Sequence, residues 1–135
     1  MGAYLNDFYK VQSYLKKEFN YEVKIFRFPG GSVNSYNLGT YDRIIPEMYR
    51  RGYTFYDWNV SSGDAAVIPV SEAEIVSNVV VQAKRNSRSI VLLHDSKDKQ
   101  TSVDALPEII TRLKKAGYEF APLDNSVRPI LFTAG

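Results

Sequence analysis

Cysteine is absent from this chain and histidine occurs once, at position 94. The first absence excludes disulfides, thiolate nucleophiles and Cys-ligated metals together, and leaves the redox compartment open. The second excludes any zinc site that draws two or three imidazoles from one chain. An excess of either charge is missing as well: 17 Lys and Arg stand against 15 Asp and Glu, a formal +2, which gives no electrostatic reason to expect nucleic acid or a membrane surface as partner. No apolar run approaches the roughly 18 residues of a membrane span. The start, Met1-Gly2-Ala3-Tyr4-Leu5-Asn6-Asp7, lacks the basic residues and apolar stretch of an export signal, so none is expected and the location is left unknown. What remains is 135 residues, 44% hydrophobic and 24% charged. Such a chain buries roughly two-thirds of its unfolded surface, and a single domain over 1–135 is expected.

Hydrophobic periodicity sets out the elements. Tyr4, Leu5, Phe8, Val11 and Leu15 recur at helical spacing, which predicts an amphipathic helix over 3–19 with Asn20 as its left-handed stop. Val23-Lys24-Ile25-Phe26-Arg27-Phe28 alternates and is closed by Pro29-Gly30-Gly31, a strand and then a loop through Ser32, Asn34 and Asn37 to Gly39. Residues 41–51 carry Tyr41, Ile44, Ile45, Met48 and Tyr49 on one face and stop at Gly52. Tyr53-Thr54-Phe55-Tyr56 reads as a strand with Asp57-Trp58 at its C-terminal end. Ser71-Glu72-Ala73-Glu74 is a capping-box pattern, followed at helical spacing by Ile75, Val76, Val79, Val80 and Ala83, a helix over about 72–85. Ser89-Ile90-Val91-Leu92-Leu93 has the pattern of a strand buried on both faces, with His94-Asp95-Ser96 as its exit loop. The last helix begins near Ser102, carries Leu106, Ile109, Ile110 and Leu113, and ends at Gly117; Tyr118-Glu119-Phe120-Ala121 is the final strand.

Four helices alternating with four strands argue for an α/β fold with a parallel sheet or barrel wall, because parallel neighbours need a crossover helix. In such folds ligands bind at the C-terminal ends of the strands. The polar residues that fall there are Arg27 with Pro29, Asp57 with Trp58, and His94 with Asp95. A cation, a carboxylate and an imidazole at successive strand ends make a candidate site.

Phe26-Arg27-Phe28-Pro29-Gly30-Gly31-Ser32, then Tyr56-Asp57-Trp58-Asn59-Val60, then Leu92-Leu93-His94-Asp95, in that order and separation, resemble the third, fourth and fifth motifs of the polysaccharide deacetylases, carbohydrate esterase family 4, with its NodB homology domain. The helix from Leu106 to Gly117 and Tyr118 also resembles that family's last helix and strand. The resemblance points to the C-terminal part of a bacterial peptidoglycan N-acetylglucosamine deacetylase or a xylan or chitin deacetylase. It implies a deformed TIM-type barrel, here a partial one of about four parallel strands and four helices, and an N-terminally incomplete domain. It also implies hydrolysis of N-acetyl or O-acetyl groups on cell-wall or chitin-type glycans, with acetylated polysaccharide as the partner, in a family that is mostly secreted or cell-surface.

In the family a divalent metal, usually zinc, is held by one Asp and two His; a second Asp is the general base and a His the general acid. Carried over to the matching positions, His94 is the acid, Leu92 lines the acetate pocket, Arg27 orients the base, Pro29 shapes the groove wall, Asp57 orients and tunes an Arg or His neighbour, and Trp58 supplies an apolar wall. A carboxylate beside an imidazole favours the protonated ring. The family's first motif, Thr-Phe-Asp-Asp-Gly, and second, His-Ser-x-x-His, have no counterpart, since the chain has no adjacent pair of aspartates and one histidine. No metal or other cofactor is therefore expected in this chain, and an isolated chain is expected to be inactive. Two further readings stand beside this one. Trp58 and the loop around Tyr36 could bind glycan without cleaving it. An incomplete barrel also exposes strand edges, which predicts a homodimer or higher oligomer.

Overall fold

Helical periodicity becomes helix at each of the four places it marks. The computed structural model describes residues 1–35 and 39–133, so Tyr36 and Asn37 lie outside the described residues. Contacts divide the chain into Met1–Asp57 with Leu123–Gly135, and Trp58–Pro122.

In the first unit α1 (Gly2–Phe19) closes at Asn20, whose φ of 51° is left-handed and whose N–H donates to the Lys16 carbonyl at 3.0 Å. Its inner row is Tyr4, Leu5, Phe8 and Leu15; Val11, expected there, is 59% exposed. The neighbouring Gln12 reaches in and donates to the Tyr53 hydroxyl at 2.5 Å. Side chains four apart stack on one helix face, so 12, rather than 11, continues the row from 4 and 8. β1 (Ile25–Phe26) pairs in parallel with β2 (Thr54–Phe55), Ile25 opposite Thr54, and α2 (Tyr41–Arg50) lies between them in sequence. The core is largely aromatic: Phe28, Tyr41, Tyr53 and Phe55 are buried with Val23, Ile44 and Met48. Phe28 stacks on Tyr41 with centroids 4.0 Å apart, an arrangement that adds about 0.5–1.5 kcal/mol beyond area burial.

The second unit is aliphatic. β3 (Val60–Ser61) pairs in parallel with β4 (Val91–Leu92), and α3 (Glu72–Ala83) crosses between them. Ser71 caps α3 as its sequence predicts, accepting the Glu74 N–H at 3.2 Å. α4 (Gln100–Lys115) packs on α3 through Ala105, Ile109 and Leu113 against Ile75, Val76, Val79, Val80 and Ala83. Leu106 and Ile110, expected on that face, are exposed; the inner row is 102, 105, 109 and 113.

Two strand assignments differ from the sequence pattern. β3 was hidden because side chains frame it. The Asn59 amide accepts the Ile90 N–H at 2.8 Å and donates to the Arg88 carbonyl at 2.9 Å, and Gln82 bonds both backbone groups of Ser61 at 3.1 and 2.8 Å. These polar residues break the apolar signal that a strand ordinarily gives. Conversely, Tyr118-Glu119-Phe120-Ala121 forms no strand among the described residues. The Tyr118 N–H closes α4 on the Leu113 carbonyl at 3.0 Å, and its hydroxyl donates to the carbonyls of Ala83 and Asn86 at 3.1 and 2.9 Å. The apolar residue that suggested a strand start is thus the stitch between two helix ends. The observed architecture is α/β, four helices with short parallel strands in two-stranded sheets.

Candidate active site

In the second unit the chain leaves β3 through Ser62, Gly63 and Asp64. Gly63 takes φ +75°, and a Cβ there would meet the Asn78 amide nitrogen at 3.0 Å, so glycine is required twice over. Asn78 in turn donates to the Ser62 carbonyl at 2.9 Å and fixes the turn. The result is Asp64, 4% exposed, beneath the exit of β4. One carboxylate oxygen, Oδ1, lies 2.7 Å from His94 Nδ1; the other, Oδ2, accepts the His94 backbone N–H and the Ser102 hydroxyl, each at 2.7 Å.

Electrostatics then fix the imidazole. Burial pushes the Asp64 carboxyl up, but hydrogen bonds from the His94 ring, the Ser102 hydroxyl, the His94 amide and Ser62 outweigh it and hold the group at about 2. An ionised carboxylate only accepts hydrogen bonds, so Nδ1 of His94 carries the hydrogen. Nε2 has no protein partner among the described residues, and the side chain is 32% exposed. The dyad therefore secures one ring nitrogen and leaves the other without a protein partner among the described residues.

The other residues singled out from sequence fall as follows. Leu92 and Trp58 are half-buried in the second unit, Leu92 two residues before His94 on the same extended run. Arg27 and Pro29 are exposed in the first unit, where the Arg27 guanidinium donates to the Phe28 carbonyl at 3.3 Å. Pro29 and Gly30, the latter at φ +75°, form a turn closed by the Gly31 N–H on the Phe28 carbonyl at 2.9 Å. Asp57 is buried behind that turn. Its carboxylate accepts the Ser32 N–H at 2.8 Å, the Ser32 hydroxyl at 2.5 Å and the Phe132 N–H at 2.8 Å. The carboxylate bonded to the imidazole is thus Asp64, which sequence reasoning passed over. Its signal was the Ser61-Ser62-Gly63-Asp64 run, a turn directly after a Val, but the partner lies thirty residues on and is set by the parallel pairing of β3 with β4.

No protein-family model matches the chain. It is 36% identical over 119 residues to a peptidoglycan-N-acetylglucosamine deacetylase of Bacillus cereus, covering 84% of this chain and 51% of that protein. Among solved structures, the catalytic domain of a peptidoglycan N-acetylglucosamine deacetylase from Eubacterium rectale superposes with a TM-score of 0.91 at 34% identity, over 99% of this chain and 62% of that one. These relatives and structural neighbours are polysaccharide deacetylases, the family whose motifs this sequence resembles. A polysaccharide deacetylase from Bacillus cereus also matches, with a TM-score of 0.79 at 27% identity over 96% of this chain and 62% of that one. The chain spans about half the length of the Bacillus cereus relative it matches.

The resemblance implies a metal held by one Asp and two His, and the donors present here can be set against that requirement. Among the described residues no three His, Cys, Asp or Glu side chains are grouped so as to hold a metal ion, and the sequence has one histidine and no cysteine. The donor set of this chain does not fit that metal.

Proposed function

We propose that this chain carries the proton-donating part of a polysaccharide deacetylase site that acts on N-acetylated, or O-acetylated, cell-wall or chitin-type glycan. The observation that carries the reading is the His94–Asp64 dyad, a buried ionised carboxylate at 2.7 Å from an imidazole whose far nitrogen is open. Similarity to the peptidoglycan N-acetylglucosamine deacetylases supplies the substrate class.

In amide cleavage the departing sugar nitrogen must gain a proton as its bond to the acetyl carbon breaks, because an amide anion is too basic to leave. The imidazolium form of His94 gives that proton from Nε2 and returns to the neutral ring, still Nδ1–H on Asp64. Asp64 stays ionised throughout, orienting the ring and stabilising its charged form. Leu92 lines the acetyl group's pocket and Trp58 the apolar wall beside it. In the first unit Arg27 and Pro29 match the positions that in the family orient the base and shape the groove, a base with no counterpart in this chain, and Asp57 holds the turn that follows them. Each parallel strand pair is, on this reading, a stretch of the wall of a partial deformed TIM-type barrel. Strand edges left unpaired favour self-association, and a stable monomer in light scattering at micromolar concentration would contradict it.

The decisive experiment follows the His94 ring by NMR while an N-acetylated chitooligosaccharide is titrated in. A selective movement of the His94 ring signals is expected; signals that stay fixed up to millimolar sugar would overturn the reading. Acetate release by the chain supplied with zinc is expected to match the blank, since the residues present offer no set for metal or base.

A further inference from the structure

Ser102 stands where an apolar residue is expected. It is the first member of the inner row 102, 105, 109 and 113 of α4, whose other members are Ala105, Ile109 and Leu113, and it is 2% exposed. A buried hydroxyl in an aliphatic row costs stability unless it is bonded. Its backbone N–H is already committed to the Lys99 carbonyl at 3.1 Å. The hydroxyl alone turns to Asp64 and donates to Oδ2 at 2.7 Å.

The two oxygens of Asp64 divide the work. Oδ1 faces His94 Nδ1, and Oδ2 takes the His94 backbone N–H and Ser102. Two of the other donors belong to His94 itself, so they move with the residue they are meant to orient, and Ser62 lies in the same turn as the carboxylate. Ser102 is the donor from another element, α4, and it ties the carboxylate plane to the packed helix. Lys99, the residue before α4, makes no side-chain cap. The Asp64 anion is instead held at that helix's first turn, the end that favours negative charge.

We propose that Ser102 is a positioning residue: by anchoring Oδ2 of Asp64 to α4 it sets the carboxylate plane that holds His94 in its Nδ1–H form and leaves Nε2 open. The inference rests on the reading of His94 as proton donor for its functional meaning, whereas its readout, the ring tautomer, is independent of any sugar.

Because the chain has one histidine, its ring nitrogens give an unambiguous pair of signals in a long-range 15N–1H correlation spectrum. At a pH where the ring is neutral, the unaltered chain is expected to show Nδ1 in the protonated range and Nε2 in the unprotonated range. Ser102→Ala removes the hydroxyl without adding volume, and Ser102→Cys keeps the shape with a weaker donor. In the folded Ser102→Ala chain the two signals are expected to move toward one another as the Nε2–H tautomer gains population, with a smaller movement in Ser102→Cys. Signals unchanged in Ser102→Ala, its fold verified by the amide fingerprint, would overturn the proposal. Should that variant fail to fold, the same comparison is read from Ser102→Cys, where an unchanged ring would overturn it equally. A chain whose ring responds to Ser102→Ala but not to chitooligosaccharide would refute the sugar site while keeping the positioning role.

Discussion

Asp57 and Asp64 are two buried carboxylates that each accept several hydrogen bonds, yet they differ in what donates them. Asp57 gathers Ser32 and the Phe132 N–H, groups that hold one state at all ordinary pH, and so it works as a staple between the turn after β1 and the C-terminal segment. Asp64 gathers Ser102 and both nitrogens on offer from His94, one of them an imidazole with a free second nitrogen. The number and length of the bonds are nearly the same. What sets Asp64 apart is a donor with a second ring nitrogen that has no protein partner among the described residues, on a side chain 32% exposed.

The largest expected effect comes from breaking the staple. Asp57→Ala leaves the Ser32 and Phe132 N–H groups without their acceptor and is expected to cost about 2–4 kcal/mol in denaturant unfolding. The Tyr56 hydroxyl, which donates to the carbonyls of Asp124 and Val127, would still tie down the same segment. The comparison predicts no change in the His94 tautomer in that variant, and a changed tautomer would break it.

Acid titration separates the pair next. The Asp64 carboxyl lies at about 2 in the folded chain against an ordinary 3.8, so the unfolded chain takes up the proton more readily. That contribution is fully present above about pH 4 and is lost as pH falls toward 2, roughly 2 kcal/mol in all. Asp64→Asn is expected to flatten this segment of the stability profile. An unaltered acid limb in Asp64→Asn would show that another group carries it.

The smallest effect calibrates the others. Ser71→Ala removes the cap of α3 in the same unit as the dyad and is expected to cost about 1 kcal/mol, read from the same unfolding curves. Its imidazole signals should match those of the unaltered chain, which distinguishes loss of stability from loss of positioning.

The helices were legible because each carries its own evidence. Ser71 with Glu74, Asn20 after the last turn of α1 and the spacing of Ile75, Val76, Val79 and Val80 are local signals, and local geometry answers them. β3 was illegible because Asn59 and Gln82 complete its pairing with side chains, a device that makes a strand look like a polar loop. Tyr118 misled in the opposite sense, its ring and hydroxyl serving helix ends. Within the site, His94 was marked by its place at a strand end, but the Asp64 bond arises only when β3 and β4 are brought into register at Val60 and Val91. Asp57 was visible as a strand-end carboxylate, while its donors, a turn amide and one from Phe132, follow no sequence spacing. Ser102 hid for a related reason, as a serine at the edge of an apolar row whose meaning depends on a carboxylate 38 residues away.

The central claim is that Asp64 holds the neutral His94 ring as Nδ1–H and keeps Nε2 for the proton it delivers. The long-range 15N–1H spectrum of the unaltered chain tests it most directly. The account predicts a protonated Nδ1 and an unprotonated Nε2 that alone gains a hydrogen on acidification; a neutral ring protonated at Nε2 would contradict it.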